Sequence, residues 1–530
     1  MTLDQARSHD RRWWTLAVLC LSLTVISIDN TILNVALPSI VESLGAKGSE
    51  LQWIIDAYTI VFACLLLTAG SLGDKLGRKG VLTAGLGLFA ICSAFASTAS
   101  STGVLIVARG LMGIGGALIF PTTLSILTNT FEGSERARAI GIWAGVSGLG
   151  IAIGPLAGGL LVEHFSWGAV FLVNVPVCLV ALVAGHFLVP TSRDTQDSRL
   201  DPLGALLSIV GLVALLYGII EAPDAGWGST NVLAGLAMGV VFLGLFAAWE
   251  LRSRHPMLDL SFFKNPRFSA ASGTITLVYF ALFGSTFLLT QYFQFVLSYS
   301  PFKAGLMTAP VAVGIMVMAP KAPKLAERIG TKKVVVIGLA IVAATLVLYG
   351  SDTLMSSVAI GGLIRLVFGA GMGLTIAPAT ESIMGSLPKA KAGVGSAVND
   401  TTRQTGGALG VAVIGSIFAA RYHSLIAVPA KLPADVAAGT RDSIGTALKS
   451  GGTAVQDGRL SPVGFQQVRQ AASHAYLGSM RLAVVIAAMV VLAAAAVSWR
   501  FLPARGAEPE TLAREPVIPP DAELPDSVLV

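Results

Sequence analysis

Three ionisable side chains stand inside long apolar runs, and they are the residues most able to do chemistry. Asp29 lies in TVISIDNTILNVALP, Asp56 in LQWIIDAYTIVFACLLL and Arg109 in GVLIVARGLMGIGG. A charge at the centre of a membrane-spanning helix costs several kcal/mol, so such residues mark ion or proton pathways by default. Each falls six to eight residues from the same expected end of its helix. At 1.5 Å per residue that is roughly 9–12 Å below the surface, so the three share a depth. A neighbouring arginine lowers a carboxylate's proton affinity and desolvation raises it. A competing cation or a change of conformation tips that balance, which suits exchange of a proton against another solute. A static ion pair is the competing reading.

A second polar group lies in SAVNDTTRQTGGALG, where Asn399, Asp400 and Arg403 crowd one stretch. Residues three apart face each other on a helix, so Asp400 and Arg403 form either an intrahelical pair or part of a transport path. Gln291, Tyr292, Gln294 and Phe295 alternate polar and aromatic groups. With Asn34 they are candidates to line a cavity for amphipathic ligands. They equally suit an interfacial position. Glycines supply the moving parts. The segment GSLGDKLGRKG contains Gly70, Gly73, Asp74, Gly77, Arg78 and Lys79, a carboxylate among basic residues that could latch one part of the molecule to another. It lacks GxxxxGK[ST] and is no phosphate loop. Gly141 and Gly145, then Gly150, Gly154 and Gly158, recur every fourth residue with Pro155 among them. That spacing lets helices approach closely.

The elements that must position these residues are membrane helices. Of 530 residues, 54% are apolar and only 12% charged, about half the charge of a soluble domain. A span needs roughly 20 apolar residues. Fourteen are expected: 13–37, 50–72, 80–99, 103–127, 138–162, 168–190, 202–221, 230–250, 269–298, 302–322, 333–350, 356–385, 392–421 and 477–503. The first is longer than a signal h-region and is expected to be retained. With this layout 24 Lys and Arg fall on the side of the N-terminus, against Lys47 and Lys303 in short loops opposite. The asymmetry places both termini in the cytoplasm of a cell with an inner membrane. It also accounts for the net charge of +6 without nucleic acid. The four cysteines form no metal-ligand spacing. No HExxH, GxSxG or His/Cys cluster suggests an enzyme, and no metal or cofactor is expected beyond a proton gradient.

The chain repeats itself. GDKLGRKGVLTAGL at 73–86 returns as AERIGTKKVVVIGL at 326–339, and Arg109, Gly113 and Gly115 return as Arg365, Gly369 and Gly371. The offsets, 253 and 256, are eight spans. A six-helix repeat with two inserted helices gives that step. The expected domains are therefore a cytoplasmic N-terminus (1–12), a six-helix bundle (13–190), an inserted pair with linkers (191–268), a second bundle (269–503) carrying a long extracytoplasmic loop (423–476), and a disordered tail (504–530). Within the loop, 465–476 reads as an amphipathic stretch.

These residues resemble the major facilitator superfamily. The segment 70–80 is similar to its signature between helices 2 and 3, LIVARGLMGIGGA to that of helix 4, and GVSGLGIAIGPLAGG to the helix 5 signature of drug/proton antiporters. IDNTILNVALP, LQWIIDAY and NDTTRQTGGALG resemble the fourteen-helix branch typified by QacA and EmrB. The resemblance implies an all-α membrane fold of two bundles, alternating access, and proton-driven export of hydrophobic, often cationic drugs by a monomer. It implies proton-linked roles for Asp29 and Arg109 and a gating latch at Asp74 and Arg78. Three positions depart from the pattern: Gly168 replaces an Arg, Ser298 a Gly, and Thr331 stands opposite Arg78 in the second copy. A dedicated exporter of one metabolite, lipid or antibiotic is the alternative, and a non-transporting sensor or scaffold a remote one.

Overall fold

A computed structural model describes residues 3–44, 48–193, 201–253, 255–429 and 432–502. The expected tail lies outside them. Each expected span coincides with a helix: α1 (Leu3–Leu44), α2 (Gly48–Leu76), α3 (Arg78–Ser97), α4 (Thr102–Thr130), α5 (Gly133–His164), α6 (Asn174–Leu188), α7 (Pro202–Ala225), α8 (Thr230–Glu250), α9 (Pro266–Gln291), α10 (Pro301–Met318), α11 (Thr331–Tyr349), α12 (Val358–Met384), α13 (Ala392–Leu425) and α14 (Pro462–Phe501). Among the described residues twelve helices are long and apolar enough to cross a membrane, thirteen if α10 counts with the bent helix Ala322–Ile329. α5 is the remaining one, at 32 residues. Helices suit this chain because a bilayer offers the backbone no hydrogen bonds, and a helix satisfies its own.

The repeat is visible in the packing. α2 pairs with α4, α3 with α4, α1 with α5, α3 with α6 and α1 with α6. In the same way α10 pairs with α12, α11 with α12, α9 with α13, α11 with α14 and α9 with α14. The small-residue crossings repeat as well. A Cβ on Gly85 would fall 3.1 Å from the Gly115 carbonyl oxygen, and one on Gly338 would fall 2.7 Å from that of Gly371. Only glycine allows the two backbones to lie so close. α7 and α8 pack on each other, and α7 also touches both α2 and α13.

Both copies of the 73–86 motif turn on a glycine: Gly77 has φ +112° and Gly330 φ +94°. L-residues are strained there by about 1–3 kcal/mol. Gly77→Ala should lower thermal stability in detergent by that order, and Gly330→Ala comparably. Gly77 alone sits between Asp74 and Arg78, so only Gly77→Ala should also loosen their contact. Unchanged melting of both variants would contradict the strain. Ser298, at one of the departures from the family pattern, holds φ +54° and accepts a 2.7 Å bond from Arg469 Nη2. The hydroxyl thereby offsets part of what a left-handed serine costs.

The loop expected at 423–476 is largely helical. α13 ends at Leu425, two short helices follow (Ala434–Asp442 and Ile444–Gln456), and 465–476 belongs to α14 rather than to a separate amphipathic stretch. Val436, Ile444, Ala447 and Val468 are buried in this cap. Its apolar spacing was masked by the alanines and glycines between them. On its outside, Arg459 bridges Asp435 at 2.9 Å and Asp457 at 3.1 Å, and the bond and charge of Arg459 hold the Asp435 carboxyl below the usual range.

Candidate functional site

The first polar centre lies inside the first bundle. Asp29 of α1 is fully buried and accepts a 2.6 Å bond from Arg109 Nη1 of α4. Its other oxygen accepts from Asn174 Nδ2 of α6 at 3.1 Å. Arg109 Nε donates to the Ile54 carbonyl at 3.2 Å, and its guanidinium lies 4.3 Å over the Tyr58 ring. Ser93 Oγ accepts from Asn174 at 3.2 Å and donates to the Phe171 carbonyl at 2.7 Å. Five helices thus converge on one carboxylate. Taking both ions out of water costs several kcal/mol each, and only such geometry repays it.

Asp56 does not complete this centre. It is half-buried on α2, two residues from both Ile54 and Tyr58. At 100° per residue two steps reach the far side of the helix, so Asp56 faces away from Arg109. Equal depth along a helix axis is not equal direction around it. Asn174 and Tyr58 are the residues that sequence reasoning missed. An amide inside FLVNVP was a usable signal; a tyrosine in a span was not.

The second polar centre lies where the bundles meet. Asp400 is buried and accepts from Asn399 Nδ2 at 3.1 Å and from Ser396 Oγ at 3.5 Å. Asn399 Oδ1 accepts from Thr380 Oγ1 at 3.2 Å. No salt bridge joins Asp400 to Arg403 among the described residues. Arg403 Nη2 reaches Thr380 Oγ1 at 3.4 Å, and its guanidinium is held between the rings of Trp143 at 4.9 Å and Tyr279 at 5.2 Å. Three residues advance a helix by 300°, and the flat aromatic faces attract the cation further round. Trp143 belongs to α5, so this contact crosses between the bundles. Trp143 Nε1 in turn donates to Thr123 at 3.1 Å.

The latch segment joins the bundles at their basic end. Asp74 and Arg78 are buried and paired at 2.6 Å. The Asp74 carboxylate also accepts the backbone N–H groups of Gly393 at 3.0 Å and Val394 at 3.1 Å. Those are the first turn of α13, where unsatisfied N–H groups and the helix dipole favour an anion. Arg78 Nη2 donates to the carbonyls of Lys389 at 3.1 Å and Ala390 at 2.9 Å. Gly70 packs directly on Gly393, and a Cβ on Gly73 would lie 3.6 Å from Thr122 Oγ1. Lys79 instead donates to the His186 carbonyl at 2.6 Å, within its own bundle. Two further bridges reach across: Arg136 to Glu381 at 2.7 Å, and Lys389 to Glu132. Lys389 holds the Glu132 carboxyl below its usual range, but both groups are exposed and such pairs contribute little. In the second copy of the motif Glu327 is exposed and makes no ion pair among the described residues.

The glycines of α5 divide between two neighbours. Gly150 and Gly154 pack on Ser27 and Thr31 of α1, in the same bundle, and Thr31 donates to the Gly150 carbonyl at 2.9 Å. The face toward the second bundle is made by Gly141, Gly145 and Gly148, against Ala319, Met316 and Ile315. Gly158 is buried on α5. The side chains of Pro155 and Asn34 lie outside the described residues. Gln291, Tyr292, Gln294 and Phe295 form a separate cluster at the far end of the second bundle, where 292–296 makes a π-helical turn. Tyr292 donates to Asp352 at 2.7 Å, and Phe295 faces Gly445 of the cap. The structure does not bring them to Asp29.

Residues 19–411 match the model of the Major Facilitator Superfamily. The chain belongs to that superfamily. It is 39% identical over 500 residues to the multidrug efflux pump LfrA of Mycolicibacterium smegmatis, covering 94% of this chain and 97% of the relative. It is 34% identical to the tetracenomycin C resistance and export protein of Streptomyces glaucescens, covering 95% and 94%. The methyl viologen resistance protein SmvA of Salmonella typhimurium is 34% identical, covering 92% and 98%. Among solved structures, the human organic anion transporter MFSD10 shares the fold with a TM-score of 0.58 at 14% identity, covering 92% and 99%. The superfamily member described here is thus an all-α, multi-pass membrane transporter with the repeated bundles of its class.

Proposed function

We propose that this protein is a proton-coupled exporter of hydrophobic, often cationic drugs or related small molecules, working by alternating access as a monomer. Over almost their whole length it resembles a multidrug efflux pump, a tetracenomycin C resistance and export protein and a methyl viologen resistance protein. The observation that carries proton coupling is the buried Asp29–Arg109 pair, because a carboxylate held by one arginine away from water is a proton site with a built-in reporter. In this reading the basic end faces the cytoplasm, both termini lie there, and the latch is shut. Asp400, Asn399 and Arg403, between the bundles and beside Trp143 and Tyr279, supply a second polar site on the substrate path. No catalytic role, metal or cofactor enters; the gradient does the work.

The test uses inside-out membrane vesicles energised by respiration. A cationic dye such as ethidium should be accumulated, and a protonophore should stop it. Dye movement unaffected by the protonophore would overturn the coupling. No gradient-dependent movement of any compound would favour a scaffold. A second reading, a dedicated exporter of one antibiotic class, is favoured by the likeness to the tetracenomycin C export protein. Expression in a drug-sensitive host separates the two: resistance to one class alone would select the second.

A further inference from the structure

The repeat supplies a second buried arginine, and its surroundings differ from those of the first. Arg365 occupies on α12 the place of Arg109 on α4. It is 1% exposed. Nη2 makes a 3.9 Å contact with Met307 Sδ, and Nε and Nη1 have no hydrogen-bond partner among the described residues. The helix crossings show what is missing. Gly150 and Gly154 meet Ser27 and Thr31 of α1, and Gly406 and Gly410 meet Thr276 and Phe280 of α9. Asp29 lies midway between the first two contacts, and Val278 midway between the second. The carboxylate of the first bundle is therefore a buried valine in the second.

The walls around Arg365 are aromatic. Its guanidinium lies 5.0 Å from the Phe293 ring, and Tyr292, Tyr299 and Tyr349 are close enough to interact with its charge. The Tyr349 hydroxyl is also buried without a partner among the described residues. Asp352 is exposed, and it is engaged by Tyr292 rather than by Arg365. At Gly361 a Cβ would fall 3.1 Å from Nη1, so glycine keeps the approach to the guanidinium clear. A buried cation without a counter-charge costs several kcal/mol. Aromatic faces repay only part of that.

We propose that Arg365, with the Tyr349 hydroxyl, is a binding site for a small monovalent anion of the chloride class. The guanidinium supplies charge and, on the Gly361 side, the unpartnered Nη1 donor. The Tyr349 hydroxyl supplies a second donor, and the aromatic rings wall the site. The site gives the second bundle the neutrality that Asp29 gives the first.

The test follows thermal unfolding of the full-length protein in detergent at constant ionic strength, with gluconate replaced by chloride, bromide, nitrate or acetate. Chloride and bromide should raise the melting temperature saturably. Arg365→Gln should abolish the increment and melt no lower than wild type in gluconate. Arg109→Gln should retain it. An increment seen with acetate but not with chloride would reassign the site to carboxylates and overturn the halide assignment. Melting indifferent to the anion, or an increment intact in Arg365→Gln, would overturn the site itself. Should Arg365→Gln fail to fold, bromide-soaked wild-type crystals decide: anomalous density belongs at the guanidinium, and its absence refutes the proposal.

Discussion

Asp29→Asn should leave a folded transporter that no longer uses the proton gradient. Asparagine keeps the shape of the carboxyl and its acceptor for Asn174, but it neither ionises nor binds a proton. It resembles the protonated state, frozen. Dye accumulation driven by a proton gradient should fall to the level of vesicles lacking the protein. Exchange of labelled dye against unlabelled dye, which needs no proton, should persist. That split distinguishes lost coupling from lost folding. Removing one partner of a buried pair costs about 3–5 kcal/mol when the other charge is left alone; the Ile54 carbonyl and Tyr58 ring, at 3.2 Å and 4.3 Å, soften this for Arg109. Equal gradient-driven efflux by both forms would remove Asp29 from the mechanism.

The second large effect is expected at the latch. Asp74→Ala removes four acceptor contacts at once: two from Arg78 and two from the first turn of α13. It also leaves Arg78 charged in a buried place, with only the carbonyls of Lys389 and Ala390 as company. The two bonds from Arg78 lie within one bundle and are lost in either state, whereas the two from Gly393 and Val394 cross between the bundles and exist only while the basic ends are together. Two cross-bundle hydrogen bonds to a charged acceptor, at about 1.5–3 kcal/mol each, shift a two-state equilibrium by more than about 100-fold. The chain should then rest with its basic end open. Spin labels on α2 and α13 near that end should report a longer distance in the variant, and single cysteines introduced there should react faster. Wild-type distances in Asp74→Ala would show that the latch does not set the resting state. Glu132→Gln, at the exposed bridge to Lys389, should change little.

Most of the fold was legible because the membrane simplifies the code. Apolar length gave the helices, and the glycine and arginine repeats announced the duplication that the packing displays. The candidate site was legible only in part. Asp29 and Arg109 stood out because charge in an apolar run is rare. Asn174 and Tyr58 did not, since neutral polar groups in spans are common. Arg403 shows the same limit: spacing along a helix gave depth, but not that Trp143 and Tyr279 would flank the side chain. Gly150 and Gly141 share one helix and one spacing, yet one packs inside its bundle and the other between bundles. Rotation about the axis decides, and it is set by tertiary partners that no local window contains.

The position of α7 makes the two flanks of the molecule unlike. It rests on α2 of one bundle and α13 of the other, so on that flank the seam between the bundles is covered. On the opposite flank α5 meets α10 directly, through glycines. A helix of the inserted pair thus lies across one seam between the bundles, while the other is a direct helix-to-helix contact. Among the described residues, the seam without α7 is the one formed by the small-residue face of α5.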